Sequence, residues 1–88
     1  MPYLKQSDRR LLLPITNAIQ EAEWTPDCPG DLNYLFTVIC LHYLAANGTS
    51  YQRFNDIIGA LEGAKLELYR RQVAAYEDSK IAEHGDVY

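Results

Sequence analysis

The sequence predicts an all-α fold: a small helical bundle in which two shorter helices pack on one long C-terminal helix, forming a single domain over residues 1–88. Three observations carry this expectation. Apolar residues recur at spacings of three and four in three segments, and strict alternation persists nowhere for long. Turn-forming residues gather between the segments, in "TPDCPG" and "GTS". From Tyr51 to about His84 neither a proline nor a turn cluster intervenes, a run of roughly 33 residues, about 50 Å if straight.

The first segment, "SDRRLLLPITNAIQEAEW", contains Ser7 as the expected N-cap of one short turn. Pro14 interrupts that turn because it has no N–H for the helix ladder. It suits the first position of a new helix reaching about Trp24, with Ile15, Ala18, Ile19 and Ala22 facing inward. The second helix is expected from Asp31 to Asn47. Asp31 favours a helix N-terminus, and Gly48 suits a left-handed stop. Leu32, Leu35, Phe36, Ile39, Cys40, Tyr43 and Leu44 keep the helical rhythm, and Val38 and Leu41 broaden the stripe. This helix is therefore expected to be the most buried of the three. Thr49 or Ser50 caps the third helix, and Gly85 ends it.

The third helix changes character along its length. Phe54, Ile57, Ile58, Leu61, Ala64 and Leu68 form an apolar stripe, with Gly59 and Gly63 suited to tight packing against a neighbouring helix. Beyond it, Lys65, Tyr69, Gln72, Tyr76 and Lys80 share one face of a regular helix. Tyrosine supplies rigid apolar area with a hydroxyl, and arginine grips anions through parallel hydrogen bonds. Tyr69, Arg70, Arg71 and Tyr76, with Lys65 beside them, are therefore the candidate ligand-binding residues. Adjacent helix positions lie about 100° apart, so Arg70 and Arg71 are expected to differ in role. Arg70 would meet Glu77 or an anion, and Arg71 would be the more solvated. The competing reading is a solvated face, with the arginines paired to Glu67 and Glu77. The two shorter helices cannot cover all of the third, so Tyr69, Val73, Tyr76 and Ile81 point to a homo-oligomer, most simply a dimer.

Composition narrows the function classes. The formal net charge of -4 argues against duplex nucleic-acid binding, which needs a basic face. The longest apolar run, "FTVICL", is far too short to span a membrane, and no secretory leader pattern opens the chain. Two cysteines give no disulfide framework and fit a reducing cytoplasm. Asn47-Gly48-Thr49 has the form of a glycosylation site but reads as a helix stop. No phosphate loop, G-x-S-x-G or H-E-x-x-H is present, so the chain is not expected to be an enzyme or to hold a cofactor. Cys28, Cys40, His42 and His84 match no zinc spacing, and no metal is expected.

The segments "PGDLNYLFT", "NDIIGALEGAKLELYRR", "YEDSK" and "HGDVY" together resemble a family of small uncharacterised proteins of phages and prophages. The resemblance runs from about Pro29 to Tyr88, with a weaker echo in "MPYLKQSDR". The family ending is Asn-Gly-Asp-Val-Tyr, and His84 stands here in the first of those places. The resemblance implies a phage-linked protein of the host cytoplasm and carries over no activity. Two functions are then expected in turn. One is a non-catalytic oligomer that binds an anionic small ligand at the Tyr/Arg surface, such as a nucleotide signal of host immunity. The alternative is an interaction module that docks on a host or phage protein through its long helix.

Overall fold

The computed structural model describes Leu4–Tyr88, and these residues are helical without a strand. The first helical segment comprises α1 (Gln6–Arg9), a 3₁₀ turn (Arg10–Leu12) and α2 (Leu13–Glu21). The second is α3 (Pro29–Asn47). The third is a continuous helix of 34 residues: α4 (Tyr51–Leu68), a π turn (Tyr69–Val73) and α5 (Ala74–His84). The chain divides into two units, one running to Arg53 and the other Phe54–Tyr88.

In the first unit, Pro14 determines where the opening helix breaks. Its ring would clash with the carbonyl of residue 10 in a regular helix, and the turn before it tightens to 3₁₀. Ser7 lies inside α1, whose N-cap is Lys5, so the expected serine cap does not form. Helix α2 stops at Glu21, three residues before Trp24, where Ala22 turns to extended backbone.

Helix α3 begins two residues earlier than the acidic signal suggested, because Pro29 takes its first position and Cys28 its cap. Asp31 Oδ2 accepts the Asp27 N–H at 3.2 Å and reaches back over the helix entry much as a capping-box carboxylate does. Its carboxyl is held below the ordinary value by the Asp27 backbone hydrogen bond, then by the Asp27 and Cys28 side chains. At the other end Gly48 adopts φ 87° and ψ 162°, and its N–H returns to the Leu44 carbonyl at 2.7 Å. Only glycine takes that conformation readily, which is why the helix stops there. Ser50 Oγ then accepts the Arg53 N–H at 3.1 Å and caps α4, one of the two expected caps.

In the second unit the long helix ends where Gly85, at φ 88°, donates its N–H to the Ile81 carbonyl at 2.8 Å. Within it, the Ala74 N–H donates to the Tyr69 carbonyl, five residues back, which defines the π turn. The apolar stripe tracks this change. Leu61 and Leu68 follow regular spacing, and the stripe resumes five residues on at half-buried Val73, leaving Gln72 outside it.

The structure departs from the sequence expectation in burial. No described residue is buried. Ile15 and Ile19, expected to face inward, are exposed. So is most of α3, where only Cys40, Tyr43 and Leu44 are half-buried. A Cβ added at Gly59 or Gly63 would meet nothing within 4 Å. Among the described residues, no helix is long and apolar enough to cross a membrane.

Candidate functional site

The Tyr/Arg surface is built on the π turn. A π turn takes up roughly one residue more than an α turn, so two turns that include one hold about eight residues rather than seven. Tyr69 and Glu77 are eight apart, and the Tyr69 hydroxyl donates to Glu77 Oε1 at 3.4 Å. In a regular helix those two positions would diverge by about 80°. The same extra residue turns Tyr76 off the Tyr69 face by about a quarter turn, so the single strip from Lys65 through Lys80 is split in two. Tyr76 belongs with Lys80, whose Nζ lies 5.4 Å from the ring centroid. That contact is a weak cation–π pair at an exposed position.

Both arginines turn to one carboxylate oxygen. Arg70 Nη2 and Arg71 Nε each donate to Glu67 Oε1 at 2.6 Å. Glu67 is the least exposed of the three at 24%, against 65% and 60% for the arginines. The expected division of labour therefore does not appear. Arg70 reaches the same Glu67 as Arg71 does, and Arg71 is no more solvated than its neighbour. The physical reason is that positions three and four after Glu67 flank it equally, and Glu77 is engaged by Tyr69. Lys65 stands apart, with Nζ 3.5 Å from Glu62 Oε1 on the preceding turn.

Two guanidiniums converging on one oxygen make a clamp for a negative charge, here filled by the chain's own glutamate. The chemistry this permits is recognition of an anion by exchange with Glu67. No described side chain here is buried.

A second cluster escaped the sequence reading. Asp27, Cys28 and Asp31 bring one ligand atom each within 4.8 Å of one another. All three are exposed at the N-terminus of α3, where carboxylates favour the helix dipole and the N–H groups without any ion. Their geometry is accounted for by capping.

One comparison with known proteins is informative. A family model described as a domain of unknown function (DUF6899) matches residues 1–87. The chain belongs to the DUF6899 family. The DUF6899 match covers nearly the whole sequence, including both arginines, the π turn and the acidic cap of α3. No curated protein matches, and no solved structure matches.

Proposed function

We propose that this DUF6899 protein is a small, non-catalytic helical protein that works as an oligomer and presents the Arg70–Arg71 clamp to an anionic small ligand. The observation that carries the ligand half is the convergence of both guanidiniums on Glu67 Oε1. Phosphate oxygens have the charge and the acceptor geometry to replace that carboxylate. Tyr69, beside the clamp and 52% exposed, offers a face for a planar base. A nucleotide combines both parts, and in a phage setting a nucleotide signal of host immunity is the ligand this reading favours. Oligomer formation is supported by the large apolar side chains left in water, among them Leu66, Leu68 and Tyr76. Such an assembly would operate in the host cytoplasm.

A second reading, docking on a host or phage protein through the long helix, is favoured by the internal pairing of the clamp. That pairing leaves the apolar positions as the main adhesive on this face. A thermal-shift series with mono-, di- and cyclic nucleotides separates the two. Ligand at a hundredfold its Kd stabilises by about 2.7 kcal/mol, a rise of about 10–20 °C for a chain of this size. Binding should weaken in both Arg70→Ala and Arg71→Ala, because the two side chains meet at the same point. No rise with any nucleotide, in a protein that is folded and oligomeric, would leave the docking reading.

A further inference from the structure

Helix α3 ends in an asparagine–glycine pair. Of the asparagines in the chain, Asn17, Asn33, Asn47 and Asn55, only Asn47 precedes a glycine. The backbone nitrogen of the residue after an asparagine attacks the side-chain amide carbon and closes a succinimide ring. A side chain on that residue crowds the closure. Ala18, Tyr34 and Asp56 carry one after the other three asparagines, and Gly48 carries none. Asn47 and Gly48 are both exposed, so water and hydroxide reach them freely. We propose that Asn47 is a site of spontaneous deamidation, held unreactive by the closed end of α3 and released when the last turn of that helix opens.

Two hydrogen bonds keep the reacting groups apart. The Gly48 N–H donates to the Leu44 carbonyl at 2.7 Å, so the nitrogen that must attack faces back along the helix with its proton engaged. Asn47 Nδ2 donates to the Tyr43 carbonyl at 2.9 Å, which holds the side-chain amide over the preceding turn. Ring closure needs both bonds broken. The Gly48 nitrogen then gives its proton to hydroxide and bonds to Cγ of Asn47, and Nδ2 takes a proton from water and leaves as ammonia. Water next opens the ring at either carbonyl, leaving aspartate or isoaspartate at position 47. Either product removes the donor to Tyr43 and places a negative charge at the helix C-terminus, where the dipole opposes it. Isoaspartate also adds a methylene to the main chain, which moves the Gly48 N–H out of register with Leu44. The closed end cannot re-form as it was, so one chemical event makes a reversible opening permanent.

Peptide mass spectrometry tests the site and its lock together. The full chain is incubated at mildly alkaline pH, folded and in urea, and the change from amide to acid at each asparagine is followed with time. When opening is fast and reversible, the folded rate is the unfolded rate multiplied by the open fraction. Asn47 should therefore react at least about tenfold more slowly in the folded chain than in urea. In urea it should outpace Asn17, Asn33 and Asn55. Equal folded and unfolded rates would overturn the lock. A rate in urea no faster than at the other asparagines would overturn the site. Ala46→Gly loosens the last turn of α3 and should speed the folded reaction about fivefold, the ratio that corresponds to the alanine–glycine difference in helix propensity, with no change in urea. A folded rate unmoved by that substitution would overturn the last turn as the gate. Asn47→Asp carries the side chain of one product and should melt below the parent. An equal Tm would overturn the claim that the reaction makes opening permanent.

Discussion

Glu67→Gln is the substitution that separates the two roles of the Tyr/Arg surface. Glutamine keeps the size and nearly the helix propensity of glutamate, so the change removes mainly charge. Two ion pairs are lost, one at i,i+3 and one at i,i+4, both involving arginines about two-thirds exposed. Helix pairs of this kind contribute roughly 0.2–0.5 kcal/mol each, so the stability lost is about 0.4–1 kcal/mol after solvent screening is allowed for. For a chain of this size that corresponds to a fall in Tm of about 2–8 °C. The assay is thermal unfolding by circular dichroism at low salt and again at 1 M NaCl, where the Debye length shrinks to about 3 Å and most of the difference should vanish. Inorganic phosphate should then raise the Tm of Glu67→Gln more than that of the parent, because the clamp no longer has its internal anion. A low-salt Tm equal to the parent's, or a loss unchanged at 1 M NaCl, would refute the ion-pair account. Equal responses to phosphate would refute the clamp as an anion seat.

Other outcomes follow from the same geometry. Gly59→Ala should stabilise the chain by about 0.8–1 kcal/mol, since a Cβ there meets nothing within 4 Å and alanine is the better helix former; a lower denaturation midpoint would reveal a close neighbour in the oligomer. Gly48→Ala should cost about 1–3 kcal/mol, because φ 87° with ψ 162° lies where an L side chain is strained; a neutral result would mean that α3 ends differently. Asp31 should titrate by NMR below an ordinary aspartate, and Asp31→Asn should abolish its contribution. Because the folded pKa is the depressed one, that contribution is complete above the unfolded pKa and is lost as pH falls through the folded value. A midpoint at or above the ordinary value would contradict the Asp27 and Cys28 hydrogen bonds.

The helices were legible in the sequence because local rules set them. Pro14, Gly48, Ser50 and Gly85 act within one turn of their own positions, and each break or cap they signal is present. Pairing of Glu67 with Arg70 and Arg71 was readable from spacing for the same reason. The π turn was missed although it left one mark. The apolar stripe slips from a spacing of three and four to five between Leu68 and Val73, with Gln72 in the place a regular helix would give an apolar side chain. That slip falls where the helix turns polar, and a single displaced residue there is easily read as the end of the stripe. Burial was misjudged for a different reason. Apolar rhythm states that a face seeks cover, and it carries no information about whether the cover comes from the same chain. Leu41 and Ile58 have that rhythm and are still exposed at 59% and 66%.

Solution mass tests the central claim most directly, namely that these exposed apolar faces are covered by further copies of the chain. Sedimentation equilibrium or light scattering at high micromolar concentration should return an integral multiple of the 10.1 kDa subunit. The measured mass should persist at 1 M NaCl, since apolar contacts, unlike ion pairs, are not screened by salt. A folded, helical protein of 10.1 kDa at that concentration would contradict the account.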